Sequence, residues 1–215
     1  MCYSLQASIT STITSFITCG ILYVYSFNQT KTIHILTQKL SLFFLFVSLM
    51  QLYDWIFWKT QDPGNNTNKI TTKIAMISNH LQPIVCSYLI SQDFNLSSST
   101  KISLVIYTIY ALYYSYNIFN KLTYTIVSEK SSPALDWEWN SYKGSTLMYS
   151  LFLSTLSLIA LDLPYPVNIL LLIINIGTWT FSKYQYKRAN VGHMWCLMAS
   201  YIPLLLLVIE YFFKI

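Results

Sequence analysis

The sequence predicts an all-α polytopic membrane protein, a seven-transmembrane-helix bundle formed as a single domain over residues 1–215. Three observations lead there. Of 215 residues, 54% are hydrophobic and 10% charged, against about 25% charged in an ordinary soluble domain. Seven apolar segments, at about 5–27, 36–58, 70–91, 101–120, 145–162, 166–184 and 191–213, approach the roughly 20 residues that a spanning helix needs. The breaks between them carry turn chemistry, as in Asn28-Gln29-Thr30, Asp62-Pro63-Gly64-Asn65-Asn66 and Asp162 to Pro166.

The first segment is too long and too hydroxyl-rich for a cleaved leader and has no basic start, so it reads as the first span. Its Ser8, Thr10, Ser11, Thr12, Thr14, Ser15 and Thr18 suit packing against a neighbouring helix, with a water-lined face the alternative. The second span ends in Gln51-Leu52-Tyr53-Asp54-Trp55. The third carries Asn79, His80 and Gln82 before Pro83, which removes an amide and frees the Asn79 carbonyl. The fourth holds a tyrosine stripe, Tyr107, Tyr110 and Tyr114. Between the fourth and fifth, Ser128 to Ser145 is long enough for extra structure and contains Asp136-Trp137-Glu138-Trp139. The seventh opens with Gly192-His193-Met194-Trp195-Cys196.

Nine Lys and Arg fall in or beside the loops after spans 2, 4 and 6, and four on the other side. The positive-inside rule then places the N-terminus in the cytoplasm and the C-terminus outside or in a lumen. The net charge of +5 is scattered and is not a nucleic-acid signal. Four cysteines show no disulfide framework and read as small packing residues. Membrane lipids are the expected partners, with a homo-oligomer left open.

In this topology all six tryptophans gather at one membrane face. Asp54, His80 and His193 enter from the same side. Ionisable groups at a span centre cost roughly 2.5–3.5 kcal/mol on insertion scales, so these three are the candidate catalytic groups. Gln51, Asn79, Gln82, Trp55, Trp139, Trp179 and Trp195 are the candidate pocket lining. His80, His193, Asp54 and Cys196 are metal-ligand types, with zinc the metal they would suit, although no two share a strong spacing signature. The structural alternatives are plain. Asp54 can pair with Lys59, His80 can make one helix-to-helix hydrogen bond, and the tryptophans can form an interfacial belt. Asp162 and Glu210 read as interfacial, and His34 as solvated.

At His80, Gln82-Pro83 and Gly192-x-x-Trp195-Cys196 the chain resembles a group of uncharacterised seven-helix membrane proteins of giant DNA viruses. Gln51 and Asp54, then Asn65 to Asn68, fill the places of that group's polar residue and short Asn-containing loop. The resemblance implies a shared fold and pocket, and brings no activity. A fainter similarity is to the alkaline-ceramidase and adiponectin-receptor membrane hydrolases, which hold zinc on histidines in the cytoplasmic leaflet. That group pairs two histidines four residues apart on the last span, and here Leu197 stands four after His193. No retinal is expected, because the last span has only Lys214, at its end.

Three functions remain open on the sequence alone. One is a membrane-embedded, metal-dependent hydrolase acting on a lipid or small amphiphile, with the tryptophan-rich segment as its lid. A second is a channel, proton path or small-solute transporter relaying through His80 and Asp54. The third is a structural or scaffolding membrane protein.

Overall fold

Helices form where the apolar segments lie, with ends set by local capping. The structure, a computed structural model, describes residues 4–27, 32–62, 64–128, 134–185 and 191–213. Its helices are α1 (Leu5–Phe27), α2 (Thr32–Lys59), α3 (Asn66–Ser91), α4 (Ser98–Phe119), α5 (Ser145–Leu161), α6 (Val167–Gln185) and α7 (Val191–Phe213). Asn65 caps α3 by accepting from the amides of Thr67 and Asn68 at 3.0 and 3.3 Å, as an Asx N-cap does. Ser97 caps α4 through the Thr100 amide. α3 runs through Pro83.

Each helix packs on the next in sequence, and α7 returns to α1, which closes a ring. α2 also meets α7, and α3 meets α5. Among the described residues, three helices, α1, α2 and α4, are long and apolar enough to cross a membrane.

α1 shows which side of the ring is which. Its buried residues are Ser8, Ser11, Ser15, Thr18, Cys19, Leu22 and Ser26, while Ile13, Ile17 and Val24 are 54, 56 and 72% exposed. In water that arrangement would be inside out. Beside hydrocarbon it is favourable, because small hydroxyl-bearing residues let helices approach and hydrogen-bond while isoleucines meet lipid tails. Thr12 and Thr18 also return their hydroxyls to carbonyls four residues back, at 2.8 Å each.

The α4–α5 connection holds structure of its own. β1 (Ile126–Ser128) and β2 (Ala134–Asp136) pair antiparallel, and a 3-10 turn follows at Glu138–Asn140. The hairpin is bound to the α2–α3 junction. Asn68 donates from Nδ2 to the carbonyls of Thr60 and Thr125 and accepts from the Thr125 amide, at 3.0, 3.0 and 2.9 Å. The Gln61 side chain accepts from the Val127 amide at 2.9 Å. The Glu138 carboxylate accepts from the amides of Thr123 and Tyr124 and from the Thr123 hydroxyl.

Two expectations at the opposite end change. His34 is buried, because α2 starts at Thr32 and its first turn is covered by neighbours. Its Nδ1 faces Glu210 Oε1 at 3.4 Å, and the Glu210 side chain is only 2% exposed. Neither residue is exposed to solvent. Asp162 is partly covered, and its Oδ2 accepts from the Ser97 amide, the Ser97 hydroxyl and the Thr100 hydroxyl at 2.9, 3.1 and 2.7 Å.

Candidate functional site

The hairpin delivers two indoles into the bundle. Trp137 and Trp139 are fully buried and stack with ring centroids 4.8 Å apart and an interplanar angle of 26°. Neither forms an interfacial belt. Trp137 donates from Nε1 to Asp54 Oδ1 at 2.8 Å. The Asp54 carboxyl therefore turns inward, while Lys59, its expected partner, is exposed. Trp139 donates from Nε1 to the Tyr149 hydroxyl at 3.1 Å, and its backbone carbonyl accepts from Tyr114.

From Tyr149 the network continues across the ring. Its hydroxyl donates to Asn79 Oδ1 at 2.9 Å. The amide nitrogens of Asn79 and Gln82 approach Cys196 Sγ at 3.7 and 4.0 Å. Trp195 donates from Nε1 to Gln82 Oε1 at 2.7 Å. Asp54 lies within electrostatic reach of the Cys196 thiol. One polar and aromatic seam thus joins α2, the hairpin, α5, α3 and α7, all within the buried interior. Such groups are satisfied by one another because nothing else there can satisfy them.

Close approach is built in at Gly192. A Cβ there would stand 2.6 Å from the Tyr149 hydroxyl oxygen and 2.7 Å from two of its ring carbons. The start of α7 can lie against that ring only because residue 192 has no side chain. Gly144, with φ +101°, ends the connection before α5, and a Cβ there would meet the Tyr110 hydroxyl at 2.7 Å.

Gln51 lies one turn before Asp54 and accepts from the Ser11 hydroxyl at 3.0 Å. Its Nε2 is buried without a hydrogen-bond partner.

His80 faces away from this seam, towards α4. Its Nδ1 pairs with the Ser115 hydroxyl at 2.8 Å, and the Tyr107 hydroxyl donates to the His80 carbonyl at 2.6 Å. Its Nε2 is buried and has no partner. The imidazole lines a cavity of about 390 Å³ between α3 and α4, whose other walls include Ile77, Leu81, Ala111, Leu112 and Phe119.

Of the sequence-derived residues, Gln51, Asp54, Asn79, Gln82, Trp139, Trp195 and Cys196 lie in or beside the seam. Trp55 is at the outer surface. Trp179 is half-buried and lines a separate groove between α5 and α6 with Asn175 and Ser157. The His193 side chain and the basic stretch from Lys187 to Arg188 lie outside the described residues. Among the described residues, no three His, Cys, Asp or Glu side chains form a group that could hold a metal ion. Tyr149, Ser115 and Trp137 complete the site without having been singled out as lining residues. Only the Tyr114 and Trp137 neighbourhoods had a sequence signal, the tyrosine stripe and the Trp-x-Trp pair.

Comparison with protein-family models, with curated proteins and with solved structures gives no match to this chain.

Proposed function

We propose that the protein is a seven-span integral membrane protein that binds a lipid or small amphiphile within one leaflet, at the tryptophan-bearing end of the bundle. The observation that carries this reading is the His80 imidazole. A buried ring nitrogen without a partner is costly, and the imidazole that carries it lines a mostly apolar cavity on the outer flank of the ring. An amphiphile fits both halves of that cavity, with a polar group beside the His80–Ser115 pair and a chain along the apolar walls.

The seam behind His80 supports a site that is held rigid. Asn79 precedes His80 on α3 and is fixed through Tyr149 to Trp139. The short pieces that resemble the giant-virus proteins, Gln82-Pro83 and Trp195-Cys196, touch each other through Gln82, which supports the shared pocket that the resemblance implies. Binding is favoured over metal-assisted hydrolysis because Asp54 and His80 have separate surroundings, an indole N–H for one and a serine hydroxyl for the other.

The test is lipid mass spectrometry on protein purified in mild detergent. Wild-type protein is expected to retain an amphiphile at near one-to-one stoichiometry, and His80→Phe to lose it. Retention of only bulk lipid, in host-membrane proportions and equally in both proteins, overturns the reading.

A further inference from the structure

Resting on the amphiphile reading above, we infer that the α3–α4 groove holds one anionic glycerophospholipid from the surrounding bilayer, its phosphate beside Lys73 and an ester carbonyl at the His80–Ser115 pair. The groove is graded along its length. At one end Lys73 places its ammonium 4.7 Å from the centroid of the Phe119 ring, and Phe119 and Asn120 line the groove there. In the middle stand His80 and Ser115. At the deep end the walls are Leu81, Ile84, Ala111 and Leu112.

The spacing suits the ligand. Ser115 and Phe119 are four residues apart on α4, about 6 Å along the helix axis. The hydrogen-bonding imidazole and the ammonium are thus separated along the groove by a distance comparable to that from the phosphate to the first ester of a glycerolipid. A bare fatty acid would have its only polar group at one of these two positions and leave the other empty.

The hydrogen-bond roles are consistent. If the neutral imidazole donates from Nδ1 to the Ser115 oxygen, the half-buried Ser115 hydroxyl is left to donate to the ester carbonyl. Lys73 and Asn120 together offer a cation and amide donors to the phosphate. Lys69, one turn before Lys73, adds positive charge at the same end. Leu112 and Tyr116 are 67 and 83% exposed, so the groove is open sideways, the direction from which a bilayer lipid arrives.

The experiment is native mass spectrometry of the full chain in detergent, titrated with phosphatidylglycerol against phosphatidylcholine of the same acyl chains. Wild type is expected to bind one phosphatidylglycerol at least fivefold more tightly than phosphatidylcholine. Lys73→Gln should abolish that preference while Lys73→Arg keeps it. His80→Phe should weaken both lipids. Leu112→Trp, which fills the groove from its outer side without touching the core, should block both. Equal binding of the two lipids by wild type, or a preference that survives Lys73→Gln, overturns the headgroup assignment and leaves the amphiphile reading standing. Binding of neither lipid, with no copurified amphiphile, overturns both. Unchanged binding in Leu112→Trp overturns the location.

Discussion

Trp137 and Asp54, 83 residues apart in the chain, are joined by an indole N–H···Oδ1 hydrogen bond of 2.8 Å with both side chains fully buried. A connection between two helices thereby supplies a donor to a carboxyl group on a third. Trp137→Phe keeps the ring, and with it the stack on Trp139, but deletes the N–H. Loss of one partner of a buried polar pair costs about 1–3 kcal/mol, more where a charge is involved. The expected outcome is a stability loss of about 2 kcal/mol, read by thermal or denaturant unfolding in detergent. Asp54→Asn keeps an acceptor oxygen for the indole and should lose less. Equal stability of Trp137→Phe and wild type would show that the bond contributes nothing.

Gly192 and Tyr149 provide a steric test. Gly192→Ala puts a methyl within 2.7 Å of the tyrosine ring, and overpacking of this kind costs about 1–3 kcal/mol. The ring must move, and its bonds to Asn79 and Trp139 move with it. Tyr149→Ala should largely relieve the clash, so the double variant is expected to be more stable than the sum of the single effects. Simple additivity would place the strain elsewhere.

How much of this site could be read from the chain follows from the range of its contacts. The helices were legible because a long apolar run marks a helix by itself, as in α1 and α2. Asp54, His80, Asn79 and Gln82 stood out because polar groups in such runs are expensive. Their partners did not. Tyr149 is one tyrosine in a leucine-rich helix, and only the fold sets it between Asn79 and Trp139, 70 and 10 residues away. The inward turn of Asp54 was equally hidden, since local spacing favoured Lys59. His34 was read as solvated because span 2 was expected to begin near residue 36, whereas α2 begins at Thr32 and takes His34 into its buried first turn.

The His34–Glu210 pair ties the start of α2 to the end of α7. Tyr25 of α1 approaches the same imidazole edge-on, with centroids 5.9 Å apart. Removing one member of a buried polar pair leaves the other unsatisfied and costs about 1–3 kcal/mol, whereas replacing both by apolar groups can be nearly neutral. His34→Leu and Glu210→Leu are each expected to destabilise the bundle by about 1–3 kcal/mol, and the double variant by less than either. A double-mutant cycle on unfolding midpoints checks this. A coupling energy near zero would show that the two groups only lie side by side.

Asp162 carries the acid-side pH dependence. Its surroundings raise its pKa by burial, but the Ser97 amide and the Thr100 and Ser97 hydroxyls outweigh that, with Lys101 helping, and hold the carboxyl below its ordinary value of 3.8. A carboxyl with a depressed folded-state pKa binds fewer protons than the unfolded chain. Its contribution is therefore complete above the ordinary carboxylate range and is lost as pH falls below it. Asp162→Asn should cost about 1 kcal/mol at neutral pH, the usual worth of a helix-capping side chain. It should also flatten the decline in stability between about pH 4 and the folded-state pKa. An unchanged acid limb in unfolding curves measured against pH would assign that decline to other groups.

The position of Trp137 also bears on how the chain is made. The second helix leaves the ribosome long before residue 137 is synthesised, so Asp54 is made well ahead of the indole that later binds it. During that interval the hairpin is unavailable, and the first four helices have an unfinished interior. Chains truncated after residue 120 are therefore expected to be recognised as defective and degraded, whereas chains extended through residue 161 contain every partner that Asp54, Trp137 and Trp139 use in the bonds described above.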